Sequence, residues 1–100
     1  MARKINGMEK YELLRLLNLK IDSPIPYKAM IEEFNDGLYH VRDGSRIVVA
    51  CLRSRHGNDY YNKIKNHKTC LGDNWNIHGV NHDENYGLVY FVATKNKRKL

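Results

Sequence analysis

Ile47-Val48-Val49-Ala50-Cys51-Leu52 is apolar at every position, and how this run is read decides the fold. It is too short for a buried helix and rich in β-branched residues, so it reads as a strand. With the residue before it, the strand covers Arg46–Leu52. Ile47, Val49 and Cys51 then point one way and Val48, Ala50 and Leu52 the other. Neither row carries a polar side chain, so the strand must lie at the centre of a sheet with both faces covered. Cys51 becomes a buried thiol rather than half of a disulfide.

The surroundings extend the reading. Upstream, Arg42-Asp43-Gly44-Ser45 contains the Asp-Gly turn signal and joins a first strand, Leu38–Val41, to the apolar one. Before that, residues 27–35 read as a helix with Ala29, Met30 and Phe34 inward and Glu32 and Glu33 outward, ended by Asp36-Gly37. Residues 8–19 read as an amphipathic helix carrying Tyr11, Leu13, Leu14, Leu16 and Leu17, with Asn6-Gly7 as its start and Ser23-Pro24-Ile25-Pro26 as its stop. Downstream, Gly57-Asn58 introduces a third helix over residues 59–68, with Asn58 as cap and Tyr60, Tyr61 and Ile64 as its apolar stripe. A closing hairpin sets Trp75–Val80 against Tyr86–Thr94 across Asn81–Asn85. The order α-α-β-β-α-β-β predicts an α+β fold: a mainly antiparallel four-stranded sheet with about three helices on a face.

A chain of 100 residues with 42% hydrophobic content fits one domain, expected over residues 1–94. Residues 95–100 are expected to form a basic, flexible tail. No apolar run approaches the ~20 residues of a membrane span, and no signal-peptide core follows Met1. The expectation is a cytoplasmic protein with no membrane partner.

The net charge of +6 is unevenly placed. Arg3, Lys4, Lys95, Lys97, Arg98 and Lys99 account for all of it, leaving residues 5–94 neutral. Within that neutral body, residues 42–68 sum to +5, flanked by −2 over residues 5–41 and −3 over residues 69–94. A basic block between acidic ones is a candidate anion-facing surface. Its members are Arg42, Arg46, Arg53, Arg55, His56, Tyr60, Lys63, Lys65 and Lys68. Arginines at a strand end and lysines on the following helix suit a phosphate backbone. The helix start offers free amides, and Tyr60 or Tyr61 offers a ring to an unpaired base. The bland alternative is a solvated strand end and helix face with the tyrosines in the core.

Two other constellations stand out. His67-x-x-Cys70 with His78-x-x-x-His82 has zinc-compatible ligand types. It matches no standard finger, and the apolar pattern closes a core without metal, so no cofactor is expected. His40, Arg42, Arg46, Arg53, His56 and Tyr60 include the base, acid and cations of a metal-independent RNase. In the same vein, Leu71-Gly72-Asp73, Trp75-Asn76-Ile77 and Tyr86-Gly87-Leu88-Val89-Tyr90-Phe91 loosely resemble the closing hairpin of the RelE/HigB-type toxins. That resemblance implies a small ribosome-dependent RNase, and it carries no catalytic residue to this chain.

The leading expectation is non-catalytic binding of RNA or DNA through the central basic block. The second is a protein–protein inhibitor or accessory module of phage type, meeting an acidic partner. The toxin-type RNase is third.

Overall fold

The computed structural model describes residues 2–34, 37–67 and 74–95. The chain opens with a short strand, β1 (Ala2–Lys4), and a helix, α1 (Gly7–Asn18). Three strands follow: β2 (Met30–Phe34), β3 (Leu38–Asp43) and β4 (Arg46–Leu52). A helical stretch comes next, made of one turn, α2 (Arg53–His56), a 3-10 turn at Gly57–Asp59, and α3 (Tyr60–His67). β5 (Trp75–Ile77), β6 (Asn81–Asp83) and β7 (Leu88–Lys95) complete the described residues.

The strands form one sheet in the order β1-β2-β3-β4-β7-β5, with β6 also paired to β7, and every pairing is antiparallel. The fold is therefore α+β with a mainly antiparallel sheet. The sheet is larger than the four strands expected, and helices cover both of its faces.

β4 is central, as its apolar run requires. Val48, Ala50 and Leu52 sit opposite Val92, Tyr90 and Leu88 of β7, and these residues pack with Leu13, Leu14 and Leu17 of α1. On the other face Ile47, Val49 and Cys51 sit opposite Ala93, Phe91 and Val89, beneath Tyr60 and Ile64 of α3. Each fully buried leucine here contributes about 1.5–3 kcal/mol, so α1 is held mainly by packing. Its start is fixed locally. The Asn6 side chain accepts the Glu9 N–H at 2.8 Å, and the Glu9 carboxylate accepts the Asn6 N–H, which together form a capping box. Tyr11, read as inward, is 59% exposed.

The expected helix at residues 27–35 is corrected to a turn followed by β2. The Ala29 N–H reaches the Pro26 carbonyl at 3.0 Å, and extended backbone begins at Met30. β2 then pairs with β3 from Met30↔Arg42 to Phe34↔Leu38. Those ladder bonds override a local pattern that also suits a helix. Glu32 and Glu33, read as one wet face, now point to opposite sides, and Glu33 is only 2% exposed. Gly37, read as a helix cap, instead turns β2 into β3 with φ 141°.

The expected third helix becomes a longer helical run, and Asn58 lies inside the 3-10 turn rather than capping α3. The closing hairpin is corrected at its loop: Asn81–Asp83, expected in the connection, is strand β6, the turn covers residues 84–87, and the first strand is broken. Between the pairs Ile77↔Ala93 and Asn81↔Tyr90, three residues face two on β7. That extra residue is a bulge separating β5 from β6. β7 also runs through Lys95, the first residue of the expected tail. No helix among the described residues is long and apolar enough to cross a membrane.

Candidate nucleic-acid interface

β4 divides the basic block. It is about 20 Å long, with Arg46 at one end and Arg53 just past the other. Arg42 shares the Arg46 end, Arg53, Arg55 and His56 follow the Leu52 end, and Tyr60, Lys63 and Lys65 lie on α3, which packs over the Ile47, Val49 and Cys51 face. Lys68 lies outside the described residues.

At the first end, Arg46 is a clamp. Its guanidinium donates to the Asp43 carboxylate at 2.5 Å and to the Ser23 carbonyl at 2.7 Å, tying the β3–β4 turn to the loop after α1. Arg42 is exposed on β3.

At the second end and on α3, three residues serve the fold. Arg55 donates to the buried Glu33 carboxylate at 2.6 Å, and that bond raises the guanidinium pKa further. His56 packs on Gly37, where a Cβ would lie 2.7 Å from ring atoms, and burial lowers its pKa, with Lys63 adding to the effect. Tyr60 is 4% exposed and cannot present its ring face to a base. Its hydroxyl meets His82 Nε2 at 2.6 Å. The helix start offered to a phosphate is also occupied, because the Tyr60 N–H bonds to the Gly57 carbonyl.

The groups still facing solvent form a strip on the His82 side of α3, with Lys63 on the opposite flank. Arg53, Lys63, Lys65 and His82 are exposed, and Tyr61 is half-buried. The Arg53 guanidinium stands 5.8 Å from the Tyr60 ring centre and donates to the Glu84 carbonyl at 3.4 Å. The Tyr61 and His82 rings lie 5.0 Å apart, and the Lys65 ammonium is 6.0 Å from the Tyr61 ring. Lys63 rides the flank of α3 near His56. The nearest acid on β6, Asp83, is paired with Lys20, and Asp59 accepts from the Asn62 amide at 3.2 Å. The strip is thus cationic and aromatic, with Asp83 paired to Lys20 and the exposed Glu84 next to Arg53 as its neighbouring acid.

Sequence reading missed His82 as a ring partner, because only the β6–β7 register places it on the α3 side opposite Val89. His78 is exposed, while the His67 side chain and Cys70 lie outside the described residues. The described residues contain no group of three or more metal-ligating side chains. The six residues read as RNase machinery do not converge. His40 is 8% exposed and stacks on Phe34 at 4.4 Å in mid-strand, and the arginines divide between the two ends of β4.

Compared with protein-family models, curated proteins and solved structures, the chain matches none.

Proposed function

We propose that this chain binds nucleic acid without cleaving it, using α3 and the strand end beside it. One observation carries the reading: Arg53 and Lys65 remain exposed on the Tyr61 and His82 side of α3 and Lys63 on its opposite flank, while the other described cations of the central block are engaged in the fold or lie at the far end of β4. Exposed ammonium and guanidinium groups neutralise phosphates and release counterions, and neighbouring rings add stacking that does not depend on sequence. The scatter of the candidate acid–base groups over the sheet supports binding over cleavage. The ligand class is RNA or DNA.

A binding titration of a labelled oligonucleotide at several salt concentrations tests this. The parent should bind at low salt and weaken log-linearly as salt rises. Lys63→Ala with Lys65→Ala should lower the slope by roughly 0.7–0.9 for each phosphate no longer neutralised. Arg42→Ala, at the far end of β4, should leave it unchanged. A parent that binds no oligonucleotide at low salt would remove this reading. An acidic protein partner would then lead, with Met8, Tyr11 and Tyr27, each more than half exposed, as its anchors.

A further inference from the structure

The exposed imidazole of His82 has its ring plane fixed from beneath. β6 is an edge strand, yet the buried Tyr60 hydroxyl holds Nε2 at 2.6 Å and meets the ring edge-on at 5.2 Å and 72°. Tyr61 lies against the same ring at 5.0 Å with an interplanar angle of 34°. A side chain already held in one orientation loses little further freedom when something stacks on it. Lys65 stands beside the Tyr61 ring, Arg53 beside the Tyr60 ring that underlies the pair, and the negative charge of Asp83 is offset by Lys20.

We propose that the His82–Tyr61 pair is a stacking platform for unpaired bases, so that the ligand is single-stranded nucleic acid rather than duplex. The proposal rests on the nucleic-acid reading and narrows it. A duplex keeps its base faces stacked inside and shows a protein only phosphates and groove edges. A single strand presents π-faces, which fit exposed rings beside cations. Lys65 sits at the outer limit of a cation–π interaction, so its ammonium is free to swing from the Tyr61 ring to a phosphate.

The test compares binding of four probes at pH 8: an unstructured RNA, an unstructured DNA, and an RNA and a DNA hairpin of equal length. Tyr61→Leu keeps an apolar side chain on α3 but removes the ring. His82→Ala acts at an exposed site and stands in if the first variant is unfolded by circular dichroism. Both single strands should bind on the order of tenfold more tightly than their hairpins. Each substitution should weaken single-strand binding by about tenfold. Hairpin binding and the salt slope should stay as in the parent, since neither change removes a cation that meets phosphate. A difference between the RNA and DNA strands supports the proposal and shows whether the 2′-hydroxyl contributes. Hairpins bound as tightly as single strands, or folded variants that bind single strands like the parent, would overturn the platform and leave the nucleic-acid reading standing. No binding of any probe at low salt would overturn both.

Discussion

Arg55 donates to the Glu33 carboxylate across 2.6 Å, joining the turn after β4 to a buried position on β2. The carboxylate is 2% exposed and the arginine 41%. A buried carboxylate that loses a cationic partner is left poorly solvated, which costs about 3–5 kcal/mol for a fully buried pair. The half-open arginine reduces that figure, because water reaches one side of the pair. Arg55→Ala should therefore destabilise the protein by about 2 kcal/mol. Arg53→Ala, two residues earlier and exposed, should cost less than about 0.5 kcal/mol. Urea denaturation of the two variants compares them. Equal midpoints would mean the ion pair contributes nothing to the fold.

That pair shows where the sequence stopped being informative. β4 was legible because its two apolar rows admit only a covered central strand, and α1 because the Asn6-Gly7 start and the leucine spacing agree, while the Glu9 half of its capping box shows only in the structure. Residues 30–34 were not, since Met-Ile-Glu-Glu-Phe suits helix and strand alike, and pairing with β3 decides. The hidden glutamate went unseen for the same reason. The strip on α3 was half legible. Lys63, Lys65 and the tyrosines are visible as residues, but only tertiary packing shows that Tyr60 is buried, that Arg46 is a clamp and that His82 belongs beside Tyr61.

The His56 imidazole should make stability depend on pH. Its Nε2 is buried without a hydrogen-bond partner among the described residues. Burial first, and Lys63 second, hold its pKa below the ordinary 6.5, against the opposing pull of Asp59 and Glu33. The unfolded chain thus takes up the proton more readily. Stability is full above about pH 6.5 and falls as pH drops below it, until the folded protein is protonated too, with a slope of at most about 1.4 kcal/mol per pH unit. Asp83, held below 3.8 chiefly by its bond from Lys20, loses its contribution only at lower pH, so the two windows separate. Urea midpoints between pH 5 and 8 should decline toward acid for the parent and flatten for His56→Gln. Parallel curves would assign the acid loss to another group.

Cys51 should be inert in the folded protein. It is fully buried beneath α3, and desolvation pushes its thiol up to about 12. The thiolate is the reactive form, so both its scarcity and its inaccessibility protect it. In a Cys70→Ser background Cys51 is the sole thiol. A disulfide reagent should then label the protein only in denaturant, or natively at the rate of unfolding. Rapid native labelling would show that the α3 side of the sheet opens readily.

Arg46 separates a cation of the fold from a cation of the surface. Its side chain is 16% exposed, and its guanidinium bonds within the protein, to Asp43 and to the Ser23 carbonyl. Arg46→Ala breaks both bonds and should destabilise by about 1–3 kcal/mol. Arg46→Lys should recover only part of that, because one ammonium cannot reproduce a planar fork aimed at two acceptors. Neither change should alter the salt slope of oligonucleotide binding in folded protein, because the guanidinium is already engaged and lies at the far end of β4 from Arg53. Arg42→Ala, exposed on the same end, should alter neither stability nor slope. Denaturation midpoints and salt titrations on the three variants give both readouts. If Arg46→Ala or Arg42→Ala flattened the salt dependence while the midpoint stayed put, the phosphate-facing surface would lie at the β3–β4 turn, and α3 would be a solvated helix.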